Sequence, residues 1–280
     1  MSRDNSSRTS APSLDLVPPK REPDSFNFTL PTMFVDLPSK GKYYPEGHPL
    51  HNVESAEIKY MTAKEEDILS SISLLQKGVA VDRMLQSVLV DKTINASELL
   101  TGDKNALMIA ARITGFGEEY TVNVTCPSCG NKSEYSFDLN KSKHTPVDKL
   151  EDIDVQKTDQ NTFIFDLPIS KARIEARLLD GKDEKYLRRL NDSKKENNLP
   201  ETALTDRLKI IIASINGSTI RGDIEKFVDS MPLIDSRYLR GLYSKVVPNI
   251  DLKQEFSCPS CNHQAAMEVP LTSDFFWPRL

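Results

Sequence analysis

"NVTCPSCGNKSEYSF" (residues 123–137) and "EFSCPSCNHQAAMEV" (255–269) repeat the tetrapeptide CPSC and hold all four cysteines of the chain. A CxxC places two sulfurs on one tight turn. Structural zinc takes four ligands tetrahedrally, with an all-cysteine set a common choice, so two such turns complete the sphere. Gly130 and Asn262 follow the two pairs, and these residue types most readily adopt the positive φ that a turn folding back over its sulfurs requires. Cys126, Cys129, Cys258 and Cys261 are therefore the candidate ligands of one structural Zn2+.

The flanks of each knuckle alternate as strands do. Tyr120, Val122 and Val124 point one way before the first knuckle, and Tyr135, Phe137 and Leu139 after it. Counted from the second cysteine of each pair, Tyr135, Phe137 and Leu139 fall at the offsets of Met267, Val269 and Leu271. Counted back from the first, Val124 and Tyr120 match Phe256 and Leu252. Each CPSC is thus the tip of a similar strand–knuckle–strand unit.

The long separation needs an account. Loop closure grows only logarithmically with length and costs a few kcal/mol, whereas structural zinc contributes roughly 10–16 kcal/mol in small peptides. Residues 141–247 then read as an insertion between two hairpins that meet at a metal. The alternative is that each knuckle pairs with one from another subunit, which would make the protein an oligomer. Disulfides within each CxxC would be strained and out of place in a reducing compartment. A thioredoxin-like centre wants its CxxC opening a helix, and four cysteines leave no open position for catalytic zinc.

The rest of the chain fits a globular protein: 280 residues, 38% hydrophobic and 28% charged, with net charge −5. That balance argues against a dedicated nucleic-acid binder, as do the knuckle flanks "NKSEYSF" and "NHQAAMEV", with one lysine between them. A zinc-ribbon nucleic-acid-binding protein is the alternative reading. No apolar run is long enough to span a bilayer, and the N-terminus lacks the apolar core of a secretory signal, so a cytoplasmic protein is expected.

The expected fold class is α+β: a zinc-ribbon-like β-hairpin platform with a helical layer, an inserted α+β segment and a disordered N-terminal arm. Residues 1–30, rich in Ser, Pro and charge, form the arm. Residues 31–140 hold a loop (35–50), a strand near 53–60, the helical layer and the first CPSC hairpin. In the layer, Thr62 and Glu65 have capping-box spacing and Ile68, Ile72 and Leu75 recur on one face. A second helix carries Val81, Leu85, Val88 and Leu89, and Asp103 stands as cap of a third. Residues 141–247 hold a hairpin (Phe163, Phe165 and Leu167 against Ile174, Ala176 and Leu178), a solvated helix over "KDEKYLRRLNDSKKEN", a helix burying Leu208, Ile211, Ile212 and Ile215, and another burying Leu239, Leu242, Tyr243 and Val246. Residues 248–280 hold the second CPSC hairpin and an aromatic tail.

No GxSxG, Walker, HExxH or GxGxxG pattern occurs, and no catalytic residue stands out. His48 and His51 read as a surface loop. "DFFWPRL" is a large apolar payload beside the C-terminus. Phe275, Phe276 and Trp277 either dock on the chain's own hairpins or anchor a partner.

"LPSKGKYYPEG" after a polar arm, "YMTAKEEDIL", the paired CPSC knuckles and "FFWPRL" together resemble the baseplate hub and hub-assembly proteins of T-even-type, contractile-tailed bacteriophages. The resemblance covers about residues 31–140 and the last thirty. It implies a non-enzymatic protein that works by association with other baseplate hub and tape-measure proteins. It would act in the host cytoplasm during assembly, and in one branch of the family it would be retained in the virion.

Overall fold

A two-stranded antiparallel ribbon opens the fold of this computed structural model, which describes residues 29–144, 155–271 and 275–277. The ribbon pairs β1 (Thr32–Asp36) with β2 (Ser55–Lys59). β1 is unforeseen: its last two residues, Val35 and Asp36, fall in the expected loop, and only Val35 of its five residues is buried. All but the last two residues of the expected N-terminal arm lie outside the described residues.

The helical layer follows as α1 (Ala63–Ser70), α2 (Ile72–Gln76), α3 (Ala80–Val88) and α4 (Thr101–Phe116). Thr62 and Glu65 close the expected capping box. Glu65 is also fully buried: its carboxylate accepts from the Thr62 N–H at 2.9 Å and the Ser87 hydroxyl at 2.5 Å, with the Lys59 ammonium 3.4 Å away. The single helix expected across Ile68, Ile72 and Leu75 breaks at Ser71, whose backbone is extended. The break turns Ile72 and Leu75 out to solvent, while Leu69 takes the buried position.

Asp103 is no cap. It lies in the first turn of α4 and is wholly buried. There it accepts from the Ser39 N–H at 2.9 Å, the Ser39 hydroxyl at 2.5 Å and the Tyr44 hydroxyl at 2.8 Å. This pins the Pro/Gly-punctuated loop onto α4. Gly41 makes the loop's tight return with φ +70°, where a Cβ would lie 2.3 Å from the Val53 nitrogen.

Next come β3 (Glu119–Thr125) and β4 (Lys132–Asp138), then the short β5 (Lys143–His144). A four-stranded antiparallel sheet follows in the order β6 (Gln156–Lys157), β7 (Phe163–Asp166), β8 (Arg173–Ala176), β9 (Ile212–Ile215). The expected Phe163–Leu178 hairpin is β7 and β8, with Phe163 opposite Ala176 and Phe165 opposite Ile174. Helices α5 (Gly181–Glu196), α6 (Ala203–Ile211), α7 (Arg221–Ser230) and α8 (Leu233–Val246) accompany the sheet. The helix expected through Ile215 ends at Ile211, and the run goes on as β9 along β8. β-branched isoleucines pack well on a pleated edge, and the free edge of β8 decides the matter. α7 is unforeseen; only Ile224 and Val228 of it are buried.

The chain returns through β10 (Ile250–Asp251) to β11 (Lys253–Ser257) and β12 (Gln264–Glu268). β10 pairs antiparallel with β5, Ile250 opposite His144, so the chain comes back beside the point from which it left.

Two apolar cores result within the unit Pro31–Leu280. One joins the β1–β2 ribbon, the helices α1, α3 and α4, both knuckle hairpins and Phe275 and Phe276. The other fills the space between the four-stranded sheet and α6–α8. Neighbouring tyrosines divide between them, Tyr43 to the second and Tyr44 to the first. The seam is closed by backbone hydrogen bonds from Thr101 to Leu179 and from Gly181 to Leu99. Gly102 lets α4 lie against the returning chain: a Cβ there would sit 1.9 Å from the Pro248 carbonyl oxygen.

Candidate metal centre

β3 runs inward at Tyr120, Val122 and Val124 and ends one residue before Cys126; β4 resumes three residues after Cys129. β11 and β12 flank Cys258 and Cys261 at the same offsets. The pairing register is the same too: Thr125 faces Lys132 as Ser257 faces Gln264, and Val124 faces Ser133 as Phe256 faces Ala265. The internal repeat read from the sequence is thus a repeat of backbone structure.

Both knuckles close with the same two hydrogen bonds. The Cys126 N–H donates to the Asn131 carbonyl at 2.9 Å and the Gly130 N–H to the Cys126 carbonyl at 3.0 Å. The Cys258 N–H donates to the His263 carbonyl at 2.9 Å and the Asn262 N–H to the Cys258 carbonyl at 3.0 Å. Gly130 has φ +70° and Asn262 φ +54°, as the turn requires.

The four thiols meet, their sulfurs all within 4.8 Å of one another. Cys126 Sγ is 3.8 Å from Cys261 Sγ, and Cys129 Sγ is 3.8 Å from Cys258 Sγ. Exchanging the hairpins converts one of these contacts into the other. A Zn–S bond of about 2.3 Å in a tetrahedron requires sulfurs about 3.8 Å apart along each edge; these two contacts match that edge, and the donor set is of a kind that zinc takes. The first cysteine of each pair is buried and the second exposed. Backbone N–H groups of Cys261 and Ser260 hold the Cys258 thiol down at about 6. Cys261, despite the His263 N–H, is pushed up to about 12 by desolvation and by the Cys129, Cys258 and Cys126 sulfurs around it, so Cys258 is the member that carries thiolate character. No other group of three or more metal-ligating side chains occurs among the described residues.

The hairpins also grip each other directly. Tyr135 sets its ring edge against Phe256, centroids 5.1 Å apart, and donates its hydroxyl to the Glu255 carbonyl at 3.0 Å. Gln254 donates to the Asp138 carbonyl at 2.7 Å and accepts from the Asp138 N–H at 3.2 Å. Asn131 reaches Ser260 at 2.7 Å.

The aromatic tail lies against this unit. Phe275 is 2% and Phe276 3% exposed, and Phe275 meets the Tyr120 ring edge-on at 5.2 Å. Buried Arg112 of α4 donates Nε to the Phe275 carbonyl at 2.7 Å, and another of its nitrogens to the Gly117 carbonyl at 3.0 Å. Trp277, half-buried, donates its indole N–H to the Leu69 carbonyl at 3.1 Å. Phe275 and Phe276 are thus docked on the chain's own core. Trp277 packs against the same core while staying partly buried.

His48 and His51 are spent on the loop: His48 stacks on Tyr44 and accepts from the Leu50 N–H, and His51 Nδ1 lies 2.7 Å from the Tyr44 carbonyl. The buried Asp103–Ser39–Tyr44 cluster does not show in the sequence because Asp103 lies 59–64 residues from its two partners. Among the described residues, no helix is long and apolar enough to cross a membrane.

Comparison with curated proteins found no match, and neither did comparison with solved structures. A family model described as T4 bacteriophage base plate protein matches residues 30–277, a span that takes in both knuckles and the docked aromatic tail; the chain belongs to that family.

Proposed function

We propose that this protein is a non-enzymatic, zinc-stapled structural or assembly component of the phage baseplate hub, acting through protein–protein contacts. The observation that carries this reading is the convergence of four sulfurs from two sequence-distant hairpins to within 4.8 Å. Cys126, Cys129, Cys258 and Cys261 would hold one Zn2+, which supplies a cross-link and, with all four positions taken by sulfur, no site for substrate. The staple makes the hairpins a rigid platform, and the membership in the baseplate family supports a role in tail assembly.

The partners in this reading are other hub and tape-measure proteins. The place of action is the host cytoplasm while the baseplate is built, followed by the virion if the protein is retained. Two measurements test it. The purified chain should contain one zinc per polypeptide and should co-elute with at least one hub or tape-measure protein of its phage. A metal-free, fully folded chain refutes the staple, and failure to bind any of these proteins refutes the hub role. Mass spectrometry of purified particles separates a retained component from an assembly factor.

A further inference from the structure

Among the described residues, the groove between α6 and α8 is an apolar cleft carrying cations that no carboxylate answers. It encloses about 310 Å³, at the lower end of the range of ligand clefts. Its walls are Leu204, Leu208 and Ile211 on α6, Tyr243 on α8, and Val247 beyond it. The only ionisable cations at its edge are Arg207 and Arg240, one from each helix.

Neither guanidinium has a carboxylate within salt-bridge distance among the described residues, although the chain as a whole carries net charge −5. Asp206, next to Arg207 in sequence, is already engaged with Lys194 at 2.6 Å. Among the described residues, Arg240 makes only a bond from Nε to the Ser236 carbonyl of its own helix.

The stripe continues along α8. Residues 233, 237, 240 and 244 recur at helical spacing on one face, so Leu233 and Arg237 extend the same mixture of apolar and basic groups. Leu233 is 70% exposed and Leu204, on the opposite wall, 60%. Leucines so exposed beside unpaired arginines match an interface that lacks its partner, since arginine and large apolar groups are what interface centres use.

We infer that this groove docks an acidic amphipathic segment of another protein, its apolar side chains seated between Leu204 and Tyr243 and its carboxylates paired with Arg207 and Arg240. Arginine forks bind carboxylates bidentately, which fixes orientation as well as sign. The inference stands on the chemistry of the groove and does not depend on the zinc staple or on the hub assignment.

The test uses the full chain and a fluorescein-labelled amphipathic helix of Glu, Leu and Ala, with Lys replacing Glu in a control peptide. The acidic peptide should bind, and Arg207→Glu with Arg240→Glu should weaken it by at least ~10-fold, the scale of losing one charge-assisted pair. Leu204→Asp should weaken it too. Arg207 is exposed and Arg240 half-buried on the groove wall, outside either core, so unchanged circular dichroism is expected. Should the double variant unfold, Arg207→Ala alone is read and should still weaken binding several-fold. Equal binding of the Lys peptide, unchanged affinity of the arginine variants, or no binding at millimolar peptide overturns the inference. So does a concentration-dependent dimer of this chain that Arg207→Glu dissolves, because the occupant is then a second copy.

Discussion

Replacing Phe275 by alanine separates a tail that holds the fold from a tail that recruits a partner. The ring is 2% exposed and meets Tyr120 at 5.2 Å and Phe276 at 5.0 Å, both edge-on. Truncating a buried Phe to Ala costs about 3–5 kcal/mol, transfer and cavity together. Edge-on ring pairs account for about 0.5–1.5 kcal/mol each of such a loss. The backbone carbonyl that receives Arg112 Nε survives the substitution, so no buried cation is stranded and the upper end should not be exceeded. In a domain of this size each kcal/mol moves the melting temperature by about 2–4 °C, so Phe275→Ala should melt about 6–20 °C lower. Thermal unfolding followed by circular dichroism reads this directly. Phe34→Ala is the control: that ring is 68% exposed on β1, and its loss should change stability by no more than about 0.5 kcal/mol. If Phe275→Ala melts like the parent yet loses a baseplate partner, the docked-tail reasoning is wrong and the anchor reading stands.

Other outcomes follow from the same geometry. Cys126→Ser and Cys258→Ser should each abolish zinc by elemental analysis and lower stability to a similar extent, because the two cysteines occupy equivalent places; loss in only one variant would break that equivalence. Gly102→Ala drives a methyl into the Pro248 carbonyl oxygen, 1.9 Å away, and should cost about 1–3 kcal/mol in denaturant titration. Burial alone would raise the Glu65 carboxyl, but hydrogen bonds from Ser87 and Thr62 and the Lys59 ammonium reverse this and hold it at about 2. Its folded value lies below the unfolded one of about 4.3, so its contribution is fully present above that pH and is lost as pH falls toward 2. Stability from urea titrations should therefore fall more steeply across this window in the parent than in Glu65→Gln.

How much of this was legible in the sequence depends on how local each cause is. The knuckle hairpins show in Tyr120–Val122–Val124 and in the positive-φ residues Gly130 and Asn262, because period and turn chemistry act within a few residues. That the two knuckles belong together follows from the number of ligands a metal needs. The break at Ser71 is invisible to a count of apolar spacing, since Ile68, Ile72 and Leu75 keep the helical period across it. Ile210, Ile211 and Ile212 suit helix and strand alike, and only the edge of β8, supplied from over thirty residues earlier, makes Ile212 a strand residue. Asp103 read as a cap because its true donors, Ser39 and Tyr44, are distant in sequence. The tail's two readings share the same apolar content, and the space beside Tyr120 and Arg112 that receives Phe275 is assembled from residues more than 150 positions earlier.

The order in which the sulfurs emerge during synthesis has a consequence of its own. Cys126 leaves the ribosome about 130 residues before Cys258, and at about 5–20 residues per second that is an interval of order ten seconds. Throughout it the first turn offers a naked dithiol, with Tyr135 and Tyr120 lacking the ring contacts that Phe256 and Phe275 later bring. The newborn chain is therefore most open to oxidation, to stray metals and to pairing with a sibling's knuckle while the second core is still being made. The hazard ends once Cys258 and Cys261 have followed β10 and β11 out of the ribosome.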